Sequence, residues 1–166
     1  PRWARFDTQW YLLRYPEVRD WMREEGQDDP YAFYLQTGQR YGHSPNRYFD
    51  EIWYRDAHKD VRQGLIREEW ASGFEHYTAT GYRTHSPHWL FDEPGYRRRY
   101  PQLTQRFLSE NGFRNGYDHY LEIGESHYYR GHHFFDDELC RELSLIFPDC
   151  FDSRIGLRYR GPFPPR

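Results

Sequence analysis

The sequence contains very little lysine and few β-branched aliphatic residues. Lysine occurs once, at Lys59, and valine occurs only at Val18 and Val61. Leucine, isoleucine and valine together account for 19 of the 166 residues. Because β-branched residues are enriched in strands, their scarcity argues against a β-sandwich or a β-barrel.

Long apolar runs are absent from the sequence, and cysteine is rare. No run approaches the roughly 18 apolar residues of a membrane-spanning helix, so we expect no membrane span. Cys140 and Cys150 are the only cysteines; they are too few for a structural zinc site but allow one disulfide. The chain begins at Pro1 without a signal-like apolar segment, so we expect a processed product or a fragment.

The charge balance also limits the function classes. The formal net charge is −3, and no nucleic-acid reader motif is present, so we expect no nucleic-acid partner. Aromatic residues replace the missing aliphatic ones, with 16 tyrosines, 12 phenylalanines and 6 tryptophans. Because aromatic rings bury a large area per residue, the sequence predicts a core built mainly from rings.

An internal repeat is the strongest pattern in the sequence. The dipeptide Phe-Asp recurs at steps of 43, 42 and 44 residues, a period typical of helical repeat proteins. Its copies are Phe6-Asp7, Phe49-Asp50, Phe91-Asp92 and Phe135-Asp136. Tyrosines and glycines follow the same period, at Tyr11, Tyr54 and Tyr96 and at Gly38, Gly81 and Gly124.

This period predicts an all-α fold, a tandem array of short helices with an aromatic-rich core. We expect three full units at 6–48, 49–90 and 91–134, a divergent partial unit or cap at 135–160, and a proline-rich tail at 161–166. Because one unit cannot bury its own aromatic face, neighbouring units are expected to stack on one another.

Local residue chemistry predicts how the first two helices of a unit begin. Each Phe-Asp aspartate is placed as an N-cap, and the phenylalanine before it is placed as a hydrophobic staple. In the first unit, the first helix should bury Trp10, Tyr11 and Leu13. Pro16, like Pro101 in the third unit, should begin the second helix.

The end of each unit has its own signals. Asp29, Ser72 or Asn115 should cap the third helix, which should end at a C′ glycine. The first two units then close on His-Ser-Pro, whereas the third has Arg130-Gly131-His132.

The order of these motifs resembles a tandem repeat of bacterial proteins. In the first unit it reads Phe6-Asp7, Trp10-Tyr11-Leu12 and Tyr15-Pro16-Glu17-Val18, with Pro45 before the next Phe-Asp. Repeats of that kind flank glycosyltransferase domains in polysaccharide-building proteins. The resemblance, over roughly residues 6–136, therefore implies a bacterial protein that accompanies a transferase in the cytoplasm or the cell envelope. It brings no catalytic motif.

The repeat separates scaffold residues from candidate binding residues. Histidines that share a phase with another unit are expected to be scaffold, with His76 and His119 packed inside and His43 and His85 satisfying backbone groups in the closing turns. The predicted binding residues are phase-breaking residues, mostly of the third unit, and the tyrosine beside its arginine run: His88, Trp89, Tyr96, Arg97, Arg98, Arg99, His132 and His133.

Each of these candidates also has a plainer structural interpretation. The arginine run is either a solvated helix face or a contact for an anion or an acidic sugar. Trp21, Trp70 and Trp89 either fill gaps between units or form exposed platforms for sugars or proteins. The spacing of His85 and His88 suits a metal, but no cysteine or carboxylate partner accompanies them, so we expect no metal and no cofactor.

The leading function hypothesis is a non-catalytic helical module that docks another protein or a sibling domain. Two alternatives are a carbohydrate-binding module that uses the unshared aromatic residues and an accessory subunit of a larger cell-envelope complex. An enzyme is the least expected, because no unit combines an acid, a base and a nucleophile.

Overall fold

The computed structural model describes residues 1–127 and 129–132, and within them the chain forms nine α-helices and no strand. The predicted all-α class is confirmed for this part of the chain. The α-helices are α1 Thr8–Arg14, α2 Val18–Glu24, α3 Pro30–Phe33, α4 Glu51–Ala57, α5 Lys59–Ile66, α6 Gly73–Ala79, α7 Glu93–Arg99, α8 Gln105–Glu110 and α9 Gly116–His119. α3 and α9 continue as the π-helices Tyr34–Gly38 and Tyr120–Gly124, and short 3-10 helices cover Arg2–Ala4 and Gly81–Arg83.

Each of the three sequence units contributes three α-helices, and the first of them begins as predicted. An aspartate carboxylate accepts the backbone N–H three residues later: Asp7 from Trp10 at 2.9 Å, Asp50 from Trp53 at 2.9 Å and Asp92 from Gly95 at 3.1 Å. The staples also form, with ring centroids 5.0 Å apart for Phe6–Tyr11, 4.9 Å for Phe49–Tyr54 and 5.2 Å for Phe91–Tyr96. Caps and staples together fix where α1, α4 and α7 enter the core.

Two details of the first unit differ from the prediction. Leu13 leaves 74% of its surface exposed, because the seven-residue helix α1 turns only one side to the core and Leu12 packs there instead. Pro16 does not begin α2 but lies in the turn before it, and α2 starts at Val18. Pro101 likewise precedes α8, which is capped by Thr104.

The third helices begin as predicted and end at or beside the predicted glycines, but these glycines do not act as C′ caps. Asp29, Ser72 and Asn115 each accept a backbone N–H as the cap of α3, α6 and α9. The positive-φ glycines of the described residues are Gly26, Gly42 and Gly112, so the left-handed conformation of a C′ glycine is wrong for Gly38, Gly81 and Gly124, although their positions at the helix ends are confirmed. A Cβ at any of these three positions would instead overlap the hydroxyl of the first-helix tyrosine in the same unit.

Two buried glutamates hold the start of the third helix in the second and third units. Glu51 Oε1 and Oε2 accept the N–H groups of Gly73 and Phe74 at 2.7 and 2.9 Å. Glu93 does the same for Gly116 and Tyr117, at 2.8 Å each.

In the first unit, the N–H groups at the start of the third helix are not held by a buried glutamate. Thr8 follows Asp7 where the other units have glutamate, and Pro30 replaces the glycine at the first position of α3. Because proline has no N–H, this helix start has one donor fewer to satisfy.

The interior consists of two clusters of buried, mainly aromatic residues, in agreement with the predicted aromatic core. One lies within the first unit and contains Trp10, Tyr11, Val18, Met22, Phe33 and Tyr34. The larger one runs through the second and third units and also takes in Trp3: Phe49, Tyr54, Val61, Tyr77, Leu90, Phe91, Tyr96, Leu103, Leu108, Tyr117, Tyr120 and Leu121.

Hydrogen bonds also connect residues of different sequence units. Asn115 Nδ2 donates to the Tyr77 hydroxyl at 3.1 Å and to the Tyr82 carbonyl at 2.8 Å. The Tyr117 hydroxyl donates to the Tyr48 carbonyl at 2.8 Å. The unit boundaries and the stacked array as a whole stay predictions.

Several expectations fall on residues that lie outside the described part of the chain. These are the partial unit at 135–160, the tail at 161–166, His133 and a disulfide between Cys140 and Cys150. In the described ranges, no helix has both the length and the apolar character needed to cross a bilayer.

Candidate functional site

A buried hydrogen bond between a tyrosine and a histidine lies inside each sequence unit. The tyrosine oxygen and the histidine Nδ1 are 2.8 Å apart for Tyr11–His43, 2.9 Å for Tyr54–His76 and 2.9 Å for Tyr96–His119. Burial raises the pKa of all three tyrosine hydroxyls and lowers the pKa of all three histidines. Both partners of each pair are therefore neutral near pH 7, and these six side chains serve the fold.

The histidine that bonds to the tyrosine does not occupy the same position in every unit. His76 and His119 belong to the third helices, and both are buried, which confirms the predicted packing. In the first unit Phe33 takes that helix position, and His43 of the closing turn supplies the ring. The expectation that His43 and His85 satisfy backbone groups is wrong, since their rings bond to side chains: His43 bonds to Tyr11, and His85 bonds to Thr84 and Asp60.

A second ring pair closes each unit. The centroids are 3.9 Å apart for Tyr15–His43, 4.4 Å for His58–His85 and 4.3 Å for Tyr100–Tyr129. Gly131 accepts the Asp92 N–H just as Pro45 accepts the Asp7 N–H. The closing turn of the third unit is therefore Tyr129-Arg130-Gly131, one residue earlier than the sequence comparison placed it.

We expect acid to destabilise the first unit partly because His43 becomes protonated. Burial lowers the pKa of His43 to about 4, below the 6.5 of an unfolded histidine, so its contribution to stability is complete above pH 6.5 and is lost as the pH falls to 4. We expect the wild type to lose about 2 to 3 kcal/mol more than His43→Gln over this range. Urea titrations at pH 7 and pH 4 measure the difference, and equal losses in both proteins would contradict it.

The second unit gathers three histidine rings near one carboxylate. His85 lies 4.4 Å from His58 and 5.3 Å from His76 between centroids, and its Nε2 is 3.0 Å from Asp60 Oδ2. His58 Nε2 meets the Ser86 carbonyl. Across the described residues, no group of three or more histidine, cysteine and carboxylate side chains is arranged to hold a metal ion.

Three of the predicted binding residues, His88 and Trp89 just before α7 and Tyr96 on it, lie mostly in the interior. His88 is buried, and its Nδ1 accepts the Leu90 N–H at 3.2 Å. Trp89 is half-buried and packs against the larger cluster. Tyr96 is buried and bonded to His119. Of these three residues, only Trp89 keeps surface that a partner could reach.

The predicted arginine run divides into three different environments. Arg97 reaches Gln105 at 3.5 Å, and Arg98 is exposed. Arg99 Nη1 donates to the carbonyls of Arg130 and His132 at 3.4 and 3.3 Å. The structure thus brings Arg99 and His132 together, but as parts of one closing turn.

The tryptophans outside the repeated phases pack against neighbouring rings. Trp21 lies 5.4 Å from Tyr41 and 6.3 Å from His43 between centroids. Trp70 lies 5.2 Å from His76 and covers Gly64, where a Cβ would come within 2.8 Å of its ring. This arrangement favours the gap-filling interpretation over an exposed platform.

One apolar surface was not predicted from the sequence. Tyr31 and Leu35 of the first unit are 47% and 46% exposed, whereas Tyr117 and Leu121, at the same positions of the third unit, are 0% and 5% exposed. We call Tyr31, Leu35 and the adjoining Phe6 the open face. The repeat shows that these positions carry apolar residues, but only the structure shows which copy is uncovered.

A groove beside α1 was also missed. It consists of two adjoining hollows of about 370 and 240 Å³, and both are lined by Trp10, Arg14 and Arg47. The exposed Leu13 lines the first hollow and Ile52 lines the second. No sequence signal marks Arg47, which is one of many arginines.

The comparisons with known proteins found no relative of this chain. No protein-family model, no curated protein and no solved structure matches the chain.

Proposed function

We propose that the chain is a non-catalytic helical module that docks another polypeptide through its open face. The observation that carries the proposal is the unequal burial of equivalent residues, open at Tyr31 and Leu35 and buried at Tyr117 and Leu121. The bacterial repeat that the sequence resembles fits such a role beside a transferase.

The third unit indicates what kind of surface would cover the open face. There, the Tyr117 hydroxyl donates to the carbonyl of Tyr48, the residue just before a Phe-Asp pair. On the same helical segment Glu122 forms an ion pair with Arg2 at 2.9 Å. The occupant of the open face is accordingly a further helical unit of the same kind, presenting the residues that precede its own Phe-Asp pair.

Charge near the open face agrees with this occupant. Asp28 and Asp29 precede Tyr31 and are exposed, so the rim is acidic. The segments that precede the Phe-Asp pairs in the first two units are basic, with Arg2 and Arg5 in one and Arg47 in the other. Opposite charges at the rim favour the docked orientation over others.

Carbohydrate binding by the tryptophans is not part of the proposal. Trp21 stacks on the buried His43 and Trp70 packs against the buried His76, whereas a sugar platform needs an exposed ring face. The described residues therefore favour protein docking between the two hypotheses.

Matched substitutions in the first and third units test the energetic basis of the proposal. We expect Tyr117→Ala to lower the free energy of unfolding of the isolated chain by about 4 kcal/mol, as for other buried aromatics. Tyr31→Ala should cost about 1 kcal/mol, because its ring already meets water. Urea titrations measure both. Equal costs would mean that Tyr31 serves the fold and would remove the argument for an open face.

A photo-crosslinking phenylalanine analogue at position 31 tests the occupant itself, in the full-length protein in its native host. We expect crosslinks at an aromatic residue just before a Phe-Asp pair of another helical unit, and their loss in Leu35→Glu. The same analogue at Phe107, which is exposed on α8, is the control. Crosslinks equal to those at position 107, or to segments without such a unit, would refute the proposal.

A further inference from the structure

The groove beside α1 is a second surface that the open face does not include. Its first hollow is lined by Asp7, Gln9, Trp10, Leu13, Arg14 and Arg47. Its second hollow extends from the same arginines to Asp50 and Ile52. The two hollows share Trp10, Arg14 and Arg47, so one ligand can occupy both of them.

The two arginines give the groove cations that the fold leaves available. Several other arginines of the described ranges pair with carboxylates, as Arg55 does with Glu51 and Arg106 with Glu110. Arg14 lies over the Tyr15 ring at 4.9 Å, and within the described chain neither Arg14 nor Arg47 has a carboxylate within ion-pair distance. A guanidinium offers a planar pair of donors that matches a carboxylate.

The carboxylates in the groove are committed to other partners. Asp7 and Asp50 each accept a backbone N–H as the caps of α1 and α4. Burial also raises the pKa of Asp50 to about 6, although the nearby Arg14 guanidinium acts in the opposite direction. The carboxylates of the groove are thus largely used by the helices, while Arg14 and Arg47 form no ion pair within the described chain.

The apolar parts of the groove distinguish between classes of ligand. Leu13 and Ile52 are 74% and 51% exposed, whereas Trp10 is only 8% exposed. Sugars stack on exposed aromatic faces, which Trp10 does not offer, while exposed aliphatic side chains suit the aliphatic side chains of a peptide.

We propose that the groove binds an extended peptide segment in which aspartate or glutamate residues flank a leucine or isoleucine. The acidic residues pair with Arg14 and Arg47, and the aliphatic residue packs on Leu13 and Ile52. This ligand differs from the helical unit proposed for the open face, so either proposal stands if the other fails.

Fluorescence anisotropy with labelled synthetic peptides tests the groove. The probe is a short peptide with Asp and Glu around a central Leu, compared with one in which Gln and Asn replace the acids. We expect the acidic peptide to bind at least about tenfold more tightly. Arg14→Gln and Arg47→Gln should each weaken it by about tenfold, and Leu13→Ser should weaken it without changing its salt dependence.

Arg62→Gln is the matched control, since Arg62 is exposed on α5 away from the groove residues in sequence. It should bind the acidic peptide like the wild type, and circular dichroism should show that every variant is folded. Equal binding of the two peptides, or an equal loss in Arg62→Gln, would overturn the proposal. Arg14-dependent binding of oligogalacturonate without binding of the peptide would assign the groove to acidic sugars and also overturn it.

Discussion

Replacing Gly81 with alanine is expected to lower the free energy of unfolding by about 3 kcal/mol. A Cβ at this position would overlap the Tyr54 hydroxyl and come within 2.9 Å of the His76 ring. The added methyl group would therefore force apart the buried pair that joins α4 to α6. Urea unfolding at pH 7, followed by circular dichroism, measures the loss.

A second substitution separates the steric cause of this loss from an effect on backbone conformation. Tyr54→Phe removes the hydroxyl that meets the new methyl group. In the Tyr54→Phe background, adding Gly81→Ala should therefore lower the free energy of unfolding by less than about 1 kcal/mol. Gly26→Ala is the control, because Gly26 has a φ of +64° and no neighbour within 4 Å of an added Cβ. Its cost should be the same in the wild type and in the Tyr54→Phe background. No rescue at position 81 would show that the glycine is needed for another reason.

The local chemistry of the helix starts could be predicted from the sequence because it depends on residues close together in the chain. An aspartate that caps a helix and a phenylalanine that meets the tyrosine five residues later need only one turn of backbone. The helix class could be predicted from the repeat period, and the aromatic interior from the composition. The reason for the glycines at the ends of the third helices could not be predicted, because the space at Gly38 is occupied by Tyr11, a residue of another helix.

The candidate surfaces were harder to predict because exposure depends on what lies next to a residue in space. Tyr31 and Tyr117 occupy the same place in the repeat, and only their neighbours make one open and the other buried. The phase comparison selected His88 and the arginine run selected Tyr96, but the fold itself uses both side chains. The phase comparison missed Arg14 and Arg47, since nothing in a sequence rich in arginine shows which guanidinium forms no ion pair.

The buried glutamates give the second prediction of large effect. Glu93→Thr should lower the free energy of unfolding by about 3 kcal/mol, because it leaves the N–H groups of Gly116 and Tyr117 buried without acceptors. Urea titrations above pH 8 are appropriate, since burial raises the pKa of Glu93 to about 7 and the side chain is then ionised. Glu110→Thr, at an exposed ion pair on α8, should cost less than about 1 kcal/mol.

Gly116→Pro should have opposite effects in the two backgrounds. In the wild type it removes an N–H that Glu93 accepts and places a Cβ 2.8 Å from Glu93 Oε1, so it should destabilise the protein. With Glu93→Thr it removes a donor that no longer has an acceptor and recreates the Thr8 and Pro30 combination of the first unit, so it should restore about 1 kcal/mol. Destabilisation in both backgrounds would mean that the threonine and proline of the first unit cannot replace the glutamate and glycine of the third unit at the start of the third helix. The first N–H groups of a helix have no partner within the helix and need an acceptor. The reversal of sign would show that a glutamate with a glycine and a threonine with a proline are two ways to avoid leaving such an N–H group buried without an acceptor.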